Sequence, residues 1–173
     1  MKRVLFLLGH LSDRDIEWMI NNGHRENLTA GQRLINKGEE VDNLYIILSG
    51  NLSITGGTSE ESEIAVIGPG EIVGEMSFIE SRPPSVNVTA TEDCSVYVIP
   101  RDLMNVKLDT DLAFKSGFYY SMALFLSDRL RKTTNQLGYG NPEEADLIDN
   151  NILDGVAQAG ARFGKILQKF SEV

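Results

Sequence analysis

The stretch GEIVGEMSFIESRPPSVNVTA, Gly70 to Ala90, holds the groups best suited to chemistry in this chain. Gly74 has no Cβ, so the backbone there can approach a ligand closely. Arg82 carries a guanidinium fork that matches a phosphate, and Ser85 offers a hydroxyl and a backbone donor. Asn87 adds an amide if its side chain turns inward. The whole has the outline of a loop that holds a phosphate, yet Pro83 and Pro84 stand where such a loop would want donors. Proline supplies neither charge nor N–H, and the pair fixes φ at two residues and biases Arg82 toward an extended conformation. Arg82 is thereby directed into a pocket or across its rim.

The elements that must position these residues follow from the pattern. SDRDIEWMIN, Ser12 to Asn21, begins with a capping serine and first-turn acids and places Ile16, Met19 and Ile20 on one face, which predicts a short helix. From Asn27 to Pro100 the texture changes to short apolar or alternating runs separated by glycine, among them NLYIILSG, NLSITGG, SEIAVIGPGE and CSVYVIP. Regularly spaced short strands of this kind predict an antiparallel sandwich or jelly roll. Beyond Pro100 the helical period returns. Leu112, Phe118, Tyr119, Met122, Ala123, Leu126, Leu130 and Leu137 mark the apolar face of a helix of about 25 residues, a length that suits pairing with a second copy. After GYGNPEEAD, the segment Leu147 to Phe170 keeps helical spacing. It suits either a terminal helix lying on its own fold or a partner-binding helix.

Composition narrows the functional classes. With 25 acidic against 16 basic residues the formal net charge is −9, a sign that repels nucleic-acid backbones and anionic lipid. The 36 residues after Leu137 are acidic and carry no second helix suited to DNA recognition, so direct DNA binding is not expected. The apolar run Val4 to Leu8 is too short for a secretory segment or a membrane span, which makes the expected location cytoplasmic. Cys94 lies in CSVYVIP and reads as a buried strand thiol. His10 and His24 have no ligand spacing to each other or to Cys94, so neither a metal site nor a cofactor is expected. No nucleophilic triad, carboxylate pair or P-loop lysine is evident, and the expectation is a protein that is not an enzyme.

The order of elements together with Gly31, Gly38, Gly50, Gly68, Gly70 and VGEMSF at Val73 to Phe78 resembles the cyclic nucleotide-binding domain family, from about Ser12 to Leu137. The resemblance implies a mainly β fold with flanking helices: a short N-terminal helix, an eight-stranded antiparallel jelly roll and a long helix after the barrel, with a C-terminal amphipathic helix beyond. We therefore divide the chain into residues 1–137, the domain proper, and 138–173, a helical extension. It further implies that Gly74, Glu75, Met76 and Ser77 open a phosphate-binding cassette in which Glu75 accepts from a ribose 2′-hydroxyl. Ligand-binding residues are then Gly74, Glu75, Met76, Ser77, Arg82, Ser85 and Asn87. In the family the arginine of a Pro-Arg-Ala triplet pairs with the phosphate, and this position is Pro84 here.

That departure leaves three readings. The chain binds cyclic AMP or GMP with a relocated arginine, it binds a larger nucleotide, or it is a ligand-free interaction module. The favoured ligand is cyclic di-GMP, because arginine can meet either its phosphates or its guanines, and the chain resembles small stand-alone cyanobacterial members of the fold that include cyclic di-GMP receptors. Lys2, Arg3, Arg129 and Arg131 are further sources of positive charge, each read as a solvated surface residue. The expected partners are a signalling protein, with a transcription factor as one candidate, and a second copy through the long helix.

Overall fold

The computed structural model of the protein describes residues 9–57, 62–136, 138, 159–165 and 168. Helix α1, Asp13–Asn22, opens on a capping box in which Ser12 Oγ accepts from the Asp15 amide and the Asp15 carboxylate accepts from the Ser12 amide. Ile16 and Met19 are buried and Ile20 packs beside them, as the spacing requires.

Eight strands follow among the described residues: β1 (His24–Leu28), β2 (Arg33–Ile35), β3 (Asn43–Ser49), β4 (Leu52–Gly56), β5 (Glu63–Ile67), β6 (Ile72–Val73), β7 (Val86–Ala90) and β8 (Cys94–Pro100). They form two four-stranded sheets, ordered β1-β8-β3-β6 and β2-β7-β4-β5, with every neighbour antiparallel. Strands β3 and β8 are apolar almost throughout because both of their faces are covered. Leu44, Ile46, Leu48, Tyr97 and Ile99 face the helices. Tyr45, Ile47, Val96 and Val98 face the opposite sheet, as the two-residue period of a strand dictates. Cys94 joins this inter-sheet core, and burial pushes its thiol pKa up, which is the inert setting expected of a strand thiol.

Three helices complete the fold around the first sheet: α2 (Glu75–Glu80), α3 (Arg101–Thr110) and α4 (Leu112–Gln136). Phe114, Phe118, Met122 and Phe125 of α4 are buried against Met19, Phe78 and Met104. This face shares Phe118, Met122 and the partly buried Leu126 with the expected one and departs from it elsewhere. Leu112 and Leu130 are 81% and 68% exposed, because the helical period admits two adjacent apolar stripes and the one with three phenylalanines buries more surface. Leu137 lies outside the described residues. Residues 159–165 are helical, Ala159 and Phe163 enter the same core, and Arg162 Nε donates to Asp13 Oδ1 at 2.9 Å. Of the alternatives for the C-terminal segment, this part lies on its own fold. The rest of Leu147 to Phe170 falls outside the described residues, Gln168 excepted.

Asp111 separates α3 from α4, with φ −129° and ψ 97°. Its carboxylate accepts from the Phe114 amide at 2.9 Å and from Lys107 Nζ at 2.7 Å, so one side chain caps α4 and ties it to α3. The Lys107 bond holds the Asp111 carboxyl below its ordinary value, with the Phe114 amide adding to the effect. A carboxyl lowered on folding contributes stability above its unfolded pKa and loses it as pH falls through the folded value. Asp111→Ala should therefore lower the unfolding midpoint at neutral pH, and the gap to wild type should close as the pH is taken down through the carboxylate range. A gap that persists unchanged at low pH would remove the charge from this role.

Candidate functional site

Strand β6 is only two residues long and pairs with β3 through Tyr45 and Val73, and it delivers the chain to a sharp change of direction. Gly74 has φ +85°, and a Cβ there would lie 2.8 Å from the Asn43 carbonyl oxygen. Only glycine meets both conditions without strain. Helix α2 starts at the next residue, so its first amides have no carbonyl partner within the helix and its positive dipole end faces the site.

Beyond α2 the chain is held from two sides. Ser81, with φ 53°, ends the helix, and its hydroxyl accepts from Arg101 Nη2 at 2.9 Å. The Arg101 guanidinium also lies 5.7 Å from the centre of the Phe78 ring, which ties the end of α2 to the start of α3. The turn after β2 anchors the following loop. The Gly38 amide donates to the Pro84 carbonyl at 2.9 Å, and the Lys37 amide donates to Asn87 Oδ1 at 2.8 Å.

Between these segments lies a cavity of about 290 Å³, at the small end of the range for small-molecule sites. Gly74, Glu75, Met76 and Ser77 form one wall and Arg82, Pro83, Pro84 and Ser85 the other, with Ile35, Ile54 and Val88 supplying apolar lining. Six of the seven residues expected at a site are thus brought together. Asn87 is not among them. It is 6% exposed, and Val86 and Val88 of its strand line the cavity, so alternation turns Asn87 to the other side, where it holds the Lys37 amide. Met76 lines the wall while half of its surface remains exposed, and Arg82 is exposed at the rim.

A further polar contributor comes from far along the chain. Arg129 of α4 lines the cavity, and its Nη1 donates to Glu75 Oε1. The Glu75 side chain is 3% exposed and that of Arg129 is 25% exposed, so the carboxylate is buried and its partner keeps about a quarter of its surface in solvent. Arg129 is also placed over the Phe125 ring, 5.0 Å from its centre. The sequence alone reads Arg129 as a solvated surface residue. The signal that locates it is the stripe Phe118, Met122, Phe125 and Arg129, whose spacings of four, three and four continue the buried face of the helix. Arg131 is exposed and lies off the cavity, and Lys2 and Arg3 are outside the described residues.

A strand that runs through Gly74 into a short helix is the order of elements that the resemblance implies. A family model for the cyclic nucleotide-binding domain matches residues 25–111. The chain belongs to the cyclic nucleotide-binding domain family. This domain is 31% identical over 104 residues to the voltage-gated delayed rectifier potassium channel KCNH1 of Rattus norvegicus, a match covering 59% of the chain and 10% of the channel. It is thus similar to a small part of that much longer protein. Among solved structures it resembles a cyclic nucleotide-binding domain from Methylobacillus flagellatus, with TM-score 0.71 and 20% identity, covering 85% of this chain and 86% of that one. It also resembles the regulatory domain of Toxoplasma gondii PKA crystallised with cAMP, with TM-score 0.56 and 30% identity over 60% of this chain and 41% of that chain.

The same domain is bounded by two further observations. No helix among the described residues is long and apolar enough to cross a membrane. No group of three or more His, Cys, Asp or Glu among them is arranged to hold a metal ion.

Proposed function

We propose that this domain is a non-enzymatic receptor for a cyclic nucleotide second messenger, acting in the cytoplasm and signalling through a protein partner. The observation that carries the reading is the buried Glu75 in the wall of the cavity, one residue beyond Gly74 and at the head of α2. Amides at a helix start suit a phosphate, and an anionic acceptor beside them suits a sugar hydroxyl. A cyclic nucleotide presents both groups within one small molecule.

Cyclic di-GMP is the favoured ligand. Two guanidiniums border the cavity, Arg82 at the rim and Arg129 inside, and position 84 has none. A dinucleotide has two phosphates and two guanines for them to meet, and its free 2′-hydroxyls still suit Glu75. A second reading, cyclic AMP or GMP, is supported by the cavity's small volume, which suits one nucleotide rather than two.

Residues 1–137 form the sensing unit and 138–173 an extension that passes on its state. Helix α4 touches the cavity through Arg129 and α2 through Phe118, 5.6 Å from Phe78 between ring centres, so it is the element that can report occupancy. Leu112, Tyr119, Tyr120 and Leu130 are exposed on it, which supports contact with a partner protein such as a transcription factor or with a second copy. Direct contact with DNA or membrane is not part of this reading, given the acidic charge.

Titration calorimetry with cyclic AMP, cyclic GMP, cyclic di-GMP and cyclic di-AMP decides between these readings. Tightest binding of cyclic di-GMP is expected. Binding of a mononucleotide alone would replace the favoured ligand, and binding of none would leave a ligand-free interaction module.

A further inference from the structure

We propose that Arg129, supplied by α4 and not by the cassette, is the cation that lets this pocket accept a phosphate. The proposal rests on the receptor reading above and names the residue that sets its charge selectivity.

The pocket presents an electrostatic difficulty to any anion. Glu75 is 3% exposed in its wall, and a second negative charge brought beside a buried carboxylate is repelled in a medium that screens poorly. Pro84, half buried in the opposite wall, offers neither charge nor donor. Amides at the start of α2 provide partial charges only. Of the two cations that border the cavity, Arg82 is exposed at the rim, where solvent and salt weaken its field. Arg129 alone is both inside and largely withdrawn from water, with its guanidinium lodged between Glu75 and the Phe125 ring.

A guanidinium has five N–H donors in one plane, and one carboxylate cannot take them all. Arg129 can therefore hold Glu75 through one edge and turn another toward a phosphate in the cavity, or exchange the first partner for the second. In either case the ligand's charge is met by α4, and the helix is drawn by the same contact that neutralises the ligand. Removing Arg129 takes away the attraction and also the positive charge beside the Glu75 carboxylate, so both consequences act against an anion.

The test is calorimetry of the full chain with cyclic di-GMP, and in parallel with cyclic AMP and cyclic GMP. The proteins compared are wild type, Arg129→Ala, Arg129→Gln, Arg129→Lys and the double variant Arg129→Ala with Pro84→Arg. Arg129→Gln keeps much of the side chain's packing and so answers for a poorly folded alanine variant. We expect a loss of about tenfold or more in affinity for Ala and Gln, as for a charge-assisted hydrogen bond, with Lys keeping most of it. The double variant should recover most of the loss, because position 84 lines the cavity and the Pro84 carbonyl that accepts from Gly38 persists in arginine. Wild-type binding that Ala and Gln weaken by less than tenfold overturns the proposal while leaving the receptor reading intact. A loss that Pro84→Arg does not repair overturns it as well, since Arg129 would then be needed for packing and not for charge. No binding by wild type removes the receptor reading and this proposal together.

Discussion

Phe118→Ala is expected to destabilise the protein by about 3–5 kcal/mol, the cost of opening a large cavity in a well-packed core. Phe118 has no exposed surface. Its ring meets Phe78 of α2 edge to face, stacks on Phe114 with centres 6.1 Å apart and touches Tyr119 at 5.5 Å. Phe78 is fixed by the cassette and Phe114 by the cap at Asp111, so neighbours on two helices cannot both move in to fill the void. Chemical denaturation should give a lower midpoint with an unchanged slope. A loss under about 1 kcal/mol would mean that α4 does not pack on the cassette helix, and the path from pocket to α4 would lose its main apolar contact.

Glu75→Ala carries the second large effect, on selectivity. If the carboxylate accepts from a ribose 2′-hydroxyl, wild type should prefer the ribonucleotide over its 2′-deoxy analogue by about tenfold or more, the ratio for a hydrogen bond to a charged group. In the alanine variant the ratio should fall to about one, because the acceptor is gone for both ligands. Absolute affinity is the poorer readout here, since Arg129 loses its partner and becomes free to strengthen the phosphate contact. Thermal unfolding should also fall, although the exposed quarter of Arg129 reduces the effect that a fully buried pair would give. Retention of the preference by Glu75→Ala would move the sugar contact to another residue.

Much of the fold was legible because local chemistry and tertiary packing agree. Ser12 and Asp15 specify a helix start through contacts only three residues apart. The runs NLYIILS and CSVYVIP are apolar because both faces are covered, and their pairing as β3 and β8 realises that composition. The cassette wall was legible for a similar reason, since Gly74 and the three residues after it act through a local turn and a short helix.

What escaped was set by distance or by register. Glu75 and Arg129 are 54 positions apart, and a lone arginine on a helix reads as solvated unless the helix's inward face is known. The stripe that ends in Arg129 is visible once Phe114, Phe118, Met122 and Phe125 are taken as that face, but Leu112, Tyr119 and Leu130 make a competing stripe of nearly equal hydrophobicity. Asn87 illustrates the other limit. Pairing of β7 with β4 aligns Asn87 with Thr55 and Val88 with Ile54, and a change of one residue in that register would have turned the amide into the cavity. The loop RPPS was legible as a departure, while its consequence lay on another element. A cation that lines the same cavity, Arg129, is supplied by α4.

The central claim is that a cyclic nucleotide occupies the cavity between Gly74 and Val86 and that α4 responds. Amide hydrogen exchange, with and without a saturating concentration of the tightest binder, tests it directly. The account predicts slower exchange in Gly74–Phe78 and Arg82–Val86 together with a change in α4 around Arg129. Binding accompanied by protection elsewhere, with these segments unchanged, would contradict it.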